Sequence, residues 1–113
     1  MPLKRVILEM GSGNDLHGCD YTKAAIRAVE DALHHSSLTM IRTLNINKND
    51  VKVDVTIGVQ KPDQVDTNAV KKILPVGSVT VSAVLGGLDV PDDERDDPAV
   101  IASAAIDVRL DLP

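Results

Sequence analysis

Apolar positions along the chain follow two different periods. Val51, Val53, Val55, Ile57 and Val59 alternate with Lys52, Asp54, Thr56 and Gly58, which predicts a strand with one buried and one polar face. Ile106, Val108, Leu110 and Leu112 alternate with Asp107, Arg109 and Asp111 and predict a terminal strand. Arg5 to Met10 is largely apolar and predicts a first, buried strand, and Ser78 to Val84 another, ended by Gly86-Gly87. Ile26, Val29 and Leu33, with Ala25 and Ala32, recur instead at three- and four-residue spacing. They predict a helix from Tyr21 to about His35, with Asp20 as its N-cap. Lys23, Arg27, Glu30 and His34 lie mostly away from that stripe.

A less regular stretch follows, and Asn45, Asn47, Asn49 and Asp50 mark a loop within it. Asp66 or Thr67 can cap a short helix whose apolar side is Val70, Ile73 and Leu74 and which ends before Pro75. The order β-α-β-α-β-β predicts an α+β two-layer sandwich, helices on one face of a mixed sheet. Residues 1–113 read as one domain, without linker, repeat or low-complexity segment.

Composition adds two constraints. The chain has one tyrosine and no phenylalanine or tryptophan, so its core is built from Val, Ile, Leu and Ala. Such a core buries little area per element, so layers must approach closely, and a homo-oligomer that buries a second face is expected. The net charge is −5, and residues 89–97 hold six acids against Arg95, which accounts for the whole imbalance. The remainder has no basic stripe, so nucleic acid is not an expected partner. No apolar run is long enough for a membrane span. The single cysteine, Cys19, and the lack of an export-signal pattern at the N-terminus fit a cytoplasmic setting.

The densest chemistry lies in Gly11-Ser12-Gly13-Asn14-Asp15-Leu16-His17-Gly18-Cys19-Asp20, between the first strand and the helix. A glycine-rich loop ahead of a helix N-terminus can bind an anion, because the first N–H groups lack internal partners and the dipole is positive there. Gly11, Gly13 and Gly18 would let backbone approach a small ligand, Lys23 adds charge in the first turn, and Gly86 and Gly87 can present further N–H groups. Neither the dinucleotide nor the phosphate-loop pattern is met: Leu16 stands where the third glycine of the former belongs. Asp15 and His17 are the expected acid–base pair, the carboxylate orienting the imidazole. Asp15, His17, Cys19 and Asp20 match no zinc spacing, and the acidic segment matches no EF-hand, so neither metal nor cofactor is expected. His34 and His35 diverge on a helix and are not a metal pair.

The run Gly11-x-Gly13-x-Asp15-x-His17-Gly18 resembles the signature of the Lin family of conserved hypothetical proteins. Asp20-x-Thr22-Lys23-Ala24-Ala25 and Gly86-Gly87-Leu88-x-Val90-Pro91 fit the same family, and the resemblance spans nearly the whole chain. It implies no substrate. More distantly, Cys19-Asp20-Tyr21-Thr22-Lys23 and Leu85-Gly86-Gly87 are similar to segments of the ring-opening amidohydrolases, cyanuric acid amidohydrolase and barbiturase. That similarity implies a homotrimer with sites between subunits. Those enzymes use serine–lysine pairs, whereas Leu85 stands at the serine's place and Met10 or Gly11 near the lysine's, so their nucleophilic chemistry does not carry over.

Three functional readings follow. The first is a small-molecule-binding homo-oligomer, hydrolase-like or proton-transferring, acting on a small polar cyclic amide or keto compound through Asp15 and His17. The second is a non-catalytic assembly or metabolite-binding module. The third is a tautomerase-like enzyme using Pro2, which becomes N-terminal once Met1 is removed.

Overall fold

The computed structural model describes residues 3–34, 50–74 and 77–111. Pro2, His35, the asparagine-marked loop, Pro75 and Leu112 lie outside the described residues. The described elements are β1 (Leu3–Asp15), α1 (Tyr21–His34), β2 (Val51–Val59), a 3-10 turn at Pro62–Gln64, α2 (Thr67–Lys71), β3 (Ser78–Leu85), β4 (Leu88–Val90) and β5 (Ala99–Asp111). They form a mixed five-stranded sheet in the order β1-β5-β2-β3, with β4 also on β5. β5 runs antiparallel to β1, β2 and β4, and β2 runs parallel to β3. The parallel pair needs a crossover, and the segment carrying α2 supplies it. Two helices packed on a mixed sheet is the α+β arrangement that the periodicities predict. No described helix is long and apolar enough to cross a membrane.

Alternation decides what each face carries. Val51, Val53, Val55, Ile57 and Val59 of β2 join Val100, Ala102, Ala104, Ile106, Val108 and Leu110 of β5 in one buried layer under the helices. Asp66 accepts hydrogen bonds from the backbone N–H groups of Asn68 and Ala69 and so caps α2, whose Val70 is buried in the same layer. The buried face of α1 is centred on Ala24, Ala25, Ala28, Val29 and Ala32, with Ile26 and Leu33 partly buried at its margin. Among the described residues, the opposite face of the sheet carries no helix.

The glycine-rich stretch is strand, not loop: β1 runs through Gly11 and Gly13 to Asp15. α1 presses its backbone against these two positions. A Cβ on Gly13 would lie 2.3 Å from the Ala28 nitrogen, and one on Gly11 would lie 2.5 Å from the Ala28 carbonyl oxygen. The glycines of β1 and the alanines of α1 thus form one seam, close enough to exclude water without aromatic side chains.

Two further elements differ from the periodicity. β5 begins at Ala99, because Ala102, Ala104 and Ala105 pair as strand without signalling alternation. Gly86-Gly87 does not end the sheet. It swings the chain over the end of β2, so that β4 lies beside β5. The crossing is tight: Gly87 has φ +62, and a Cβ there would lie 2.2 Å from the Ile101 carbonyl oxygen.

Candidate functional site

At one end of the sheet, Asp15 of β1 and Asp89 of β4 both pair with Val100 of β5. The three form a row on the helix side, beneath the N-terminus of α1. The Cα atoms of the two aspartates are two strand spacings apart, about 10 Å.

Asp15 is 3% exposed. Its Oδ2 accepts the Asp20 backbone N–H at 3.0 Å, and its Oδ1 lies 3.6 Å from the Arg27 guanidinium. Arg27 also donates to the Asn14 carbonyl at 2.6 Å, so a buried carboxylate, a strand end and the helix are tied together. Asp20 caps α1 as predicted by accepting the Lys23 N–H at 3.0 Å, while the Lys23 residue itself is exposed. Cys19 turns the chain into the helix at φ 51, and Gly18 precedes it at φ 95.

Asp15 and His17 are not brought together. The carboxylate beside His17 is Asp97, whose Oδ2 lies 3.4 Å from Nδ1, while its Oδ1 accepts the Gly18 N–H at 2.9 Å. Asp97 thereby clamps the short loop Leu16–Gly18 and leaves the His17 side chain 79% exposed. The acid–imidazole pairing exists, but the acid comes from the start of β5's approach rather than from β1.

Tyr21 and Asp89 were not legible as site residues. Tyr21, the chain's single tyrosine, is 2% exposed and donates its hydroxyl to Asp89 Oδ2 at 2.5 Å. Burial, then hydrogen bonding to Asp89 and to the Cys19 side chain, raises the phenol well above its usual range, so the hydroxyl stays protonated. The other oxygen, Asp89 Oδ1, is buried without a hydrogen-bond partner. Period and spacing gave no sign of this pair, because β4 is three residues long and its register follows from the Gly86-Gly87 crossing.

The Gly86 N–H donates to the Val59 carbonyl at 2.9 Å, and Gln60 Nε2 donates to the Gly86 and Gly87 carbonyls at 3.0 Å and 3.4 Å. A cleft of about 430 Å³ opens nearby between Leu16, Val90 and the acidic residues Asp92, Asp93, Glu94 and Asp97. Among the described residues, no three His, Cys, Asp or Glu side chains are grouped to hold a metal ion.

The model of a family of conserved hypothetical proteins, Lin0512, matches residues 5–108. The chain belongs to the Lin0512 family. Among solved structures, the Lin0512 chain is similar to an FtsZ-like protein of unknown function from Nostoc punctiforme PCC 73102. The two share 33% identity over 99% of each chain, with a TM-score of 0.84. No curated protein matches.

Proposed function

We propose that this Lin0512 protein is a small-molecule-binding homo-oligomer whose ligand sits beneath the N-terminus of α1. The observation that carries the reading is the buried, unpartnered Oδ1 of Asp89 beside a tyrosine hydroxyl that stays protonated. Leaving a buried acceptor unsatisfied costs about 1–3 kcal/mol, and more when it is charged. An N–H donor from a ligand removes that cost. This favours a small cyclic amide over a keto compound, which brings no donor. Access requires a shift of β4, a three-residue strand paired with β5.

In this reading Asp15 fixes the helix N-terminus over the site, and His17, exposed and oriented by Asp97, exchanges protons between site and solvent. Gly11 and Gly13 serve helix packing, and the Gly86-Gly87 crossing sets the register of β4 beside the site. Proton transfer is the chemistry these groups can support. The serine–lysine route of the ring-opening amidohydrolases is not part of the proposal.

A calorimetric titration with succinimide and with N-methylsuccinimide tests the reading. Succinimide carries the N–H and is expected to bind, and both the N-methyl compound and the Asp89→Asn variant are expected to lose binding. Equal behaviour of the two compounds would remove the assignment.

A second reading, a non-catalytic assembly module, is favoured by one observation: packing against α1 fully accounts for Gly11 and Gly13. Succinimide binding without proton exchange at His17, followed by NMR, would select it.

A further inference from the structure

The face of the sheet away from the helices is unlike an ordinary solvated surface. Among the described residues, eight large apolar side chains are exposed, and the strand register puts six of them, Leu3, Leu8, Met10, Val84, Leu88 and Val90, on this face. Met10 is 69% exposed. Met10 and Val84 border a shallow groove of about 620 Å³ floored by small side chains, among them Ser12, Thr56, Gly58, Ser103 and Ala105, with Asp31 of α1 also in its lining. Register aligns Ser12, Ser103, Gly58 and Val84 in one row across four strands, and Met10, Ala105, Thr56 and Ser82 in the next.

Charge is arranged to match. The strand residues of this face carry Arg5, Lys52 and Arg109 against Asp54, Asp107 and Asp111, so the face is neutral although the chain carries −5. Its polar end is internally paired: Asp107 lies 3.1 Å from Arg5 and 3.2 Å from Arg109. The excess acid sits in residues 89–97, outside the apolar groove. The strand residues of two copies meeting here bring no net like charge.

Size fits as well. Four strands spaced ~4.8 Å apart, with nine residues of β2 at ~3.3 Å each, give a footprint of roughly 600 Å² before side-chain relief, close to the ~800 Å² per partner of stable protein interfaces.

We propose that the open face of the sheet is the surface on which a second copy of this chain docks. The proposal rests on the homo-oligomer reading and gives it a location. β4 links the interface to the ligand corner, since Leu88 and Val90 point to the partner while Asp89, between them, points to Tyr21. Association therefore steadies the strand that carries the unpartnered carboxylate.

The test is light-scattering mass of the full-length wild-type chain and of Ser103→Arg, with Glu30→Arg on the exposed side of α1 as control. Wild type and Glu30→Arg are expected at a multiple of 12.1 kDa, and Ser103→Arg at 12.1 kDa with an unchanged circular dichroism spectrum. The rate of Met10 oxidation by peroxide, read by mass spectrometry, gives an answer that needs no variant. Met10 is expected to be protected at concentrations where the wild type is oligomeric and to react on dilution. A monomeric wild type overturns both the location and the homo-oligomer reading. An oligomer that survives Ser103→Arg, with Met10 still reactive, overturns the location alone.

Discussion

Asp15 and Asp89 flank Val100 on the helix side of the sheet, and each accepts a hydrogen bond from the start of α1. Asp15 takes the Asp20 N–H and is also paired with Arg27, so its charge is balanced. Asp89 takes the Tyr21 hydroxyl and keeps one oxygen without a partner. The same element thus holds one satisfied and one unsatisfied carboxylate, and the second gives the corner its capacity to bind.

Removing the hydroxyl isolates Asp89 completely. Tyr21→Phe is expected to lower unfolding stability by about 1–3 kcal/mol, because the half-buried Asp89 side chain then loses its donor. In the Asp89→Asn background the same change costs less. Urea denaturation of the two single variants and the double variant measures the coupling, and additive effects would show that the pair is not energetically linked.

The phenol itself offers a clean titration, since the chain has one tyrosine and no tryptophan. The folded-state pKa is raised by burial first and hydrogen bonding second. Its stabilising contribution is therefore complete below the unfolded value, about 10, and declines as pH rises above it. Tyrosinate absorbance should develop near pH 10 in urea and at clearly higher pH in the native protein. Coincident curves would contradict the buried hydroxyl.

Gly13→Ala tests whether the glycines serve packing. A Cβ at that position meets the Ala28 nitrogen at 2.3 Å, so the helix must move outward. Overpacking of this kind costs about 1–3 kcal/mol, and thermal unfolding reads it as a lowered midpoint. An unchanged midpoint with lost succinimide binding would instead make Gly13 a ligand contact.

Asp97→Ala removes the clamp on the loop before α1. Gly18 N–H loses its acceptor, and hydrogen exchange at that amide should accelerate while the amides of β5 remain protected. Unchanged exchange at Gly18 would remove Asp97 from the loop's support.

Asp107 sets the acid side of the stability profile. Burial opposes its charge, but hydrogen bonds and charge from Arg109 and Arg5 outweigh this and hold the carboxyl below its ordinary range. A lowered folded value means stability present above the unfolded pKa and lost as pH falls through the folded one. Asp107→Asn should flatten the acid limb of the urea-midpoint profile between pH 5 and pH 3, roughly the range in which an unfolded carboxylate titrates. An unaltered limb would show that Asp107 is not among the groups responsible.

Much of the fold is legible where one period dominates. The alternation of Val51 to Val59 and the capped stripe of α1 fix two elements and their buried faces. The glycines of β1 were harder, because a glycine written for close helix packing looks the same as one written for a ligand loop. Ala99 to Ala105 hid the first half of β5, since alanine fits either face. The site was only partly legible. Asp15 lies in it, but Asp89 and Tyr21 are 68 positions apart and meet only through the β4 register. Asp97 came from an acidic run that charge alone assigns to solvent.

The account turns on Asp89 and its unpartnered oxygen. Titration of ¹⁵N-labelled protein with succinimide, followed by amide chemical shifts, tests it most directly. Shifts confined to Cys19–Lys23 and Leu88–Val90 are expected, and they vanish in Asp89→Asn. Shifts located elsewhere, or shifts that persist in that variant, would contradict it.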